Sequence, residues 1–228
     1  MNDTFCQTGM KTALAAALVI GCSLGCATRA HAQEIPHPET STLITPDAGN
    51  SAFLVGHATG TQGYVCLPVS PGSSTASWTV NNARPEATLF TTFLDVQFQI
   101  ITHFLSPDAH PNKFAPSPLP FGSATWQSSM DSSKVWAQTV HSVPAGSEAA
   151  CPNAGAIPCL LLQAIGSEDG PGHGATLTPT TFIQRLNTKG GSAPVDGCFE
   201  GSDVGKQTLV PYTADYYFFR DNTDRSQR

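Results

Sequence analysis

TFIQRLNTKGGSAPVDGC, residues Thr181–Cys198, and VPYTADYYFF, residues Val210–Phe219, are the two runs whose reading decides the fold. Both are dense in aromatic and β-branched residues, which suit a pleated, half-buried surface. Gly190-Gly191 and a polar loop separate them, so they read as a hairpin-like unit, turned by the glycine pair, that closes a β structure. Each run also carries one charge among apolar neighbours: Arg185 shares a face with Ile183, and Asp215 with Tyr217. A charge facing a core is unfavourable unless paired, so the two are expected to form a cross-strand salt bridge that fixes the register.

The same signature continues towards the N-terminus. Ala52–His57 and Gln62–Leu67 read as a hairpin turned by Ala58–Thr61, and Ala76–Val80, Ala87–Leu94 and Val96–Leu105 as further strands. Ser123–Gln127 and Lys134–Val140 flank the turn Met130–Ser133, and Ile157–Ala164 is a continuous apolar run suited to a central strand. Ser106–Pro120 holds five prolines, which exclude regular structure, and Gly166–Gly174 reads as a flexible loop. No segment shows a long, capped 3.6-residue repeat, and no internal repeat is visible. The expected fold is therefore all-β: a single-domain β-sandwich or barrel with long loops and few short helices, spanning residues 51–221. An extended lead-in, 33–50, precedes it, and a polar tail, 222–228, follows.

The first 32 residues have the composition of an export leader. Lys11 precedes the apolar run Thr12–Leu24, which is too short to span a bilayer, and Ala30-His31-Ala32 supplies a small-x-small cleavage pattern. Met10-Lys11 is the more ordinary start, because Asp3 puts an acid where the leader should be positive. A competing reading takes Val19-Ile20-Gly21-Cys22 as a lipoprotein signal, with Cys22 acylated and the protein tethered to a membrane. Both readings export the chain, to the periplasm or the extracellular medium. Without residues 1–32, nine basic face sixteen acidic side chains, a formal charge of −7. Such an acidic chain, with no basic run, argues against nucleic acid and anionic lipid as partners.

Cleavage after Ala32 leaves Cys66, Cys151, Cys159 and Cys198. Four cysteines in an oxidising compartment allow three pairings. Cys151 and Cys159 flank the short turn-rich PNAGAIP and are the natural local pair, which leaves Cys66 for Cys198. The alternative keeps Cys159 as a buried free thiol. No Cys-x-x-Cys spacing suggests zinc.

Gly56–Cys66, Ile101–Phe104, the Thr125–Gln127 and Val135-Trp136 hairpin, Ile157-Pro158-x-Leu160-Leu161-Leu162, Phe182–Gly191, Ala193–Cys198 and Val210–Tyr216 occur in this order over the last four-fifths of the chain. Together they resemble a family of secreted bacterial and fungal proteins catalogued only as a domain of unknown function. The resemblance implies an exported single domain and supplies no catalytic residues. Where that pattern has Trp after Ile-Pro this chain has Cys159, a departure that supports an extra local disulfide with Cys151.

For chemistry, His57, His103, His110, His141 and His173 show no His-x-His or His-Glu-x-x-His spacing, so no metal site and no cofactor are expected. There is no Gly-x-Ser-x-Gly elbow, and Asp95, Asp131 and Asp215 are scattered rather than paired for glycoside hydrolysis. His103, at the end of a strand whose face turns from polar to mixed, reads either as a hydrogen-bonded structural histidine of the core or as the single best candidate for a pocket. Trp126 and Trp136, with Trp78, Tyr64, Tyr212, Tyr216 and Tyr217, offer either a ligand-stacking surface or core filling. The expected function is non-catalytic ligand binding, a carbohydrate or small molecule being the partner, or a cell-envelope role. The alternative is a secreted enzyme, metal-dependent or hydrolytic, with its pocket near His103.

Overall fold

The computed structural model describes residues 35–106 and 123–223, so the leader, the Cys22 acylation site, the proline-rich segment and most of the polar tail lie outside the described residues. Eight strands follow one another: β1 (Asn50–Pro68), β2 (Ala76–Phe93), β3 (Val96–Ser106), β4 (Ser123–Ser128), β5 (Lys134–Val143), β6 (Cys159–Glu168), β7 (Thr180–Gly190) and β8 (Gln207–Asp221). Each pairs antiparallel with the next, and β1 pairs with β8, closing the sheet into a barrel. Register shifts interrupt five of its eight pairings, so the ring is irregular. Full closure removes the free edges that an open sheet would present. Among the described residues there is no helix, hence none long and apolar enough to cross a membrane.

The final strands alternate inward and outward as their composition demands. Ile183 on β7 and Tyr212, Ala214, Tyr216 and Phe218 on β8 join the interior cluster, with Ala58, Leu89, Ile101, Trp126, Val135 and Leu162 from the other strands. Phe182 and Leu186 on β7, with Tyr217 and Phe219 on β8, face outward into a second cluster with Leu161. That outer face is covered by the segment 35–47, whose Ile44 is fully buried and whose Ile44 carbonyl accepts from Gln184 Nε2 at 2.6 Å. This segment, irregular with a turn over 42–45, contributes to a core. Its cover explains why Leu160-Leu161-Leu162 reads as one apolar run: β6 is packed on both faces.

Four details of the strand reading change. Ala58–Thr61 is no turn, since β1 runs unbroken through it with Ala58 inward and Thr59 outward. Gly60 is there because β2 comes close: a Cβ would lie 2.6 Å from Ala87 Cα and nearer still to the Glu86 carbonyl oxygen. Ala76–Val80 and Ala87–Leu94 are likewise parts of one strand, β2. Gly190 and Gly191, both at positive φ, end the β7–β8 ladder, with Gly191 N–H donating to Pro211 O at 2.9 Å. They open a long loop, 192–206, instead of a tight turn. Finally, the 169–179 connection is pinned: the Asp131 carboxylate accepts from Thr176 N (2.8 Å), Thr176 Oγ1 (2.7 Å), Ser133 N (3.1 Å) and Ser133 Oγ (2.8 Å). These donors hold its carboxyl well below the usual carboxylate range against the opposing effect of burial, the largest single influence on it.

Both cysteine pairs form. Cys66 and Cys198 have Cα atoms 5.4 Å apart and tie the end of β1 to the β7–β8 loop, and Cys151 and Cys159, 6.0 Å apart, staple the β5–β6 loop to the start of β6. Cys159 is not a free thiol.

Candidate functional site

Pairing register decides which side chains enter the barrel. His103 on β3 stands beside Ala87 on β2 and Trp126 on β4, and Ala87 in turn faces Gly60 on β1. These small neighbours leave room for His103 to stack on Trp126, with ring centroids 4.1 Å apart and an interplanar angle of 11°. Tyr216 on β8 comes within 5.9 Å of both rings, and its hydroxyl is 3.0 Å from that of Tyr212. Tyr216 pairs with Arg185 on β7, so the guanidinium shares this interior face.

His103 is 5% exposed and donates Nδ1–H to the Thr125 carbonyl at 2.9 Å, which leaves Nε2 as the lone-pair nitrogen. Burial lowers its pKa to about 4; the Thr125 carbonyl opposes this, and the Arg185 charge adds to it. The imidazole is thus neutral at ordinary pH. Burial also raises the Tyr64 and Tyr212 hydroxyls, Tyr212 well above its usual value, while the Arg185 charge works against both. Tyr64 donates to Gly191 O at 2.7 Å, and Arg185 donates from Nη2 to Pro158 O at 2.9 Å. The two acceptors belong to the β7–β8 and β5–β6 loops, so these loops rim the end of the barrel where Arg185 is partly exposed. On this interior face two buried donors, Trp126 Nε1 and Arg185 Nε, have no acceptor among the described residues.

The expected salt bridge between Arg185 and Asp215 does not form. Arg185 lies opposite Tyr216, whereas Asp215 lies opposite Leu186, so the two charges project from opposite faces of the sheet. Asp215 instead meets His57 on the outer wall, Nδ1 to Oδ1 2.6 Å, and accepts from Asn187 Nδ2 at 3.1 Å. Asn187, at φ 50° in the bulge between Leu186 and Lys189, is aimed there by the irregularity itself. Sequence reasoning missed this trio, because a bulge shifts side-chain direction without leaving a compositional mark.

An exposed pair of tryptophans is also absent. Trp126 and Trp136 are 1% and 2% exposed and face opposite ways, Trp126 inward beside Val135 and Trp136 outward beside Thr125. Tyr64, Tyr212, Tyr216 and Tyr217 are buried too. Only Trp78 of that aromatic set is partly open; it lines a groove of about 290 Å³ against the 193–199 segment, its indole N–H donating to Asp196 O at 2.9 Å. His141 and His173 are exposed, His110 lies outside the described residues, and the described residues contain no group of three metal-ligating side chains.

Residues 47–220 match the family model described as "Protein of unknown function (DUF3455)". No curated protein and no solved structure matches the chain.

Proposed function

The chain belongs to the DUF3455 family, whose description names no activity, and from its geometry we propose that it is an exported, non-catalytic protein that binds a small ligand inside the barrel, beside Arg185, His103, Trp126 and Tyr216. The observation that carries this reading is that two buried donors on the inner face, Trp126 Nε1 and Arg185 Nε, lack acceptors among the described residues. Buried polar groups in folded proteins are nearly always hydrogen-bonded, and an unmet donor points to a missing partner. A bound molecule with acceptor atoms would supply one. An eight-stranded barrel is the size that either fills with side chains or holds one small molecule. The aromatic faces lie inside it, which favours a small ligand over a carbohydrate chain laid across an outer sheet. Export is supported by the two disulfides, which persist in oxidising compartments, together with the leader-like N-terminus.

The enzyme reading would use the Nε2 lone pair of His103 as a base. It has less behind it, because no carboxylate among the described residues orients that ring, whose Nδ1 is held by a backbone carbonyl.

Thermal unfolding of the purified protein in the presence of a panel of small planar compounds tests the proposal. A true ligand raises Tm, and its effect weakens about five- to tenfold in apparent affinity in Trp126→Phe, which keeps an aromatic ring and removes the indole N–H. A panel in which nothing stabilises the protein, or in which Trp126→Phe responds as the wild type does, counts against it.

A further inference from the structure

Arg185 is the charged group of this interior, and its circumstances specify the ligand more narrowly. Its guanidinium has five N–H donors, of which one is seen to donate, from Nη2 to the neutral Pro158 carbonyl, and Nε is buried without an acceptor. No carboxylate among the described residues lies within ion-pair distance, since the nearest expected partner, Asp215, is on the other face of the sheet. Among the described residues the partly exposed guanidinium has this neutral carbonyl as its acceptor and no anionic partner.

Resting on the barrel-ligand reading above, we infer that the ligand is a planar monoanion, an aryl or conjugated carboxylate, with its carboxylate on Arg185 and its ring against Tyr216. The planar fork of a guanidinium matches a carboxylate in two parallel hydrogen bonds. Tyr216 is the side chain opposite Arg185 in the ladder and leads on to the His103 and Trp126 rings, 5.9 Å away from each, so a flat acid anchored at Arg185 meets an aromatic wall. The same positive charge reaches Tyr64, Tyr212 and His103, working against burial at both tyrosines and adding to it at the histidine. One uncompensated cation fits one negative charge, and a chain whose formal charge is −6 repels polyanions.

Isothermal titration with 2-naphthoate and its neutral isostere 2-naphthamide separates the charge from the ring. The wild type should bind the acid at least about tenfold more tightly than the amide, the scale of one charge-assisted hydrogen bond. Arg185→Gln should abolish that preference, and Arg185→Lys should keep part of it. Equal binding of acid and amide by the wild type overturns the inference without needing any variant and leaves the barrel-ligand reading in place. A preference for the acid that survives in folded Arg185→Gln overturns it too. Binding of neither probe tells instead against the barrel-ligand reading, and the inference falls with it.

Discussion

His103 is held neutral by its surroundings, and that neutrality has a thermodynamic consequence. In the unfolded chain the ring titrates near its ordinary value of 6.5, and in the barrel near 4. Between those values the unfolded state takes up a proton and the native state does not, so stability falls as pH drops from about 6.5 to about 4 and is retained above that window. The loss from this one group amounts to about 3 kcal/mol. Urea unfolding of wild type and His103→Gln at pH 7 and pH 4 should show the gap between them shrinking by that order as the pH is lowered; a constant gap would mean that His103 is not buried neutral. How far such a residue is legible beforehand varies. The position of His103 at the end of a strand with a mixed face marked it for a pocket. Arg185 is legible as a charge among apolar neighbours, but its partner is not. Ile183 and Tyr217 are both apolar companions, one inward and one outward, and strands apolar on both faces conceal which face is which.

At the scale of elements, close approach and side-chain latches shape the strands more than turn composition does. Gly60 resembles a turn residue, yet it lies within β1 because the β2 backbone occupies the space a Cβ would need. Gly60→Ala should therefore destabilise the protein by about 2 kcal/mol or more, the range for overpacking against backbone, while Thr59→Ala, on the exposed face, changes little; denaturant midpoints for the two variants make the comparison. Asp131 is the other case. As one of several scattered acids it carried no visible signal, and the glycine-rich stretch it fastens looked mobile. Two of its four acceptor contacts, from Thr176, join the β4–β5 turn to the β6–β7 loop, two from Ser133 brace the turn itself, and Gly174 allows the join by bringing the chain against Asp131. Asp131→Ala should cost about 2–3 kcal/mol, the scale for hydrogen bonds to a charged group. Since its folded pKa lies below the usual range, the wild-type advantage should persist above pH 4 and fade as the carboxylate protonates in stronger acid. An Asp131→Ala variant whose 169–179 loop resists proteolysis as well as the wild type would refute the latch.

On the scale of the whole molecule, what separates a barrel from a sandwich is the pairing of β1 with β8, from Asn50 opposite Asp221 to Val65 opposite Gln207. No local pattern announces a contact between the two ends of a domain, which is why alternation and turn signals leave both architectures open. Closing that seam means ordering a loop of most of the chain, and the entropy of that closure opposes folding. The Cys66–Cys198 bridge spans the same seam with a sequence separation of 132, whereas Cys151–Cys159 closes a separation of only 8. In the chain-entropy account the first contributes about 5 kcal/mol and the second about 2.5 kcal/mol. Cys66→Ala/Cys198→Ala should then lose about twice as much stability in urea unfolding as Cys151→Ala/Cys159→Ala, although Cys151 and Cys159 are both fully buried and Cys198 is not. Burial alone predicts the opposite order, because the 151–159 pair lies in the outer core with Leu161 and Phe182. The ranking of the two double variants thus decides whether the long bridge acts by tethering the seam of the barrel or whether both bridges serve chiefly as packed core groups.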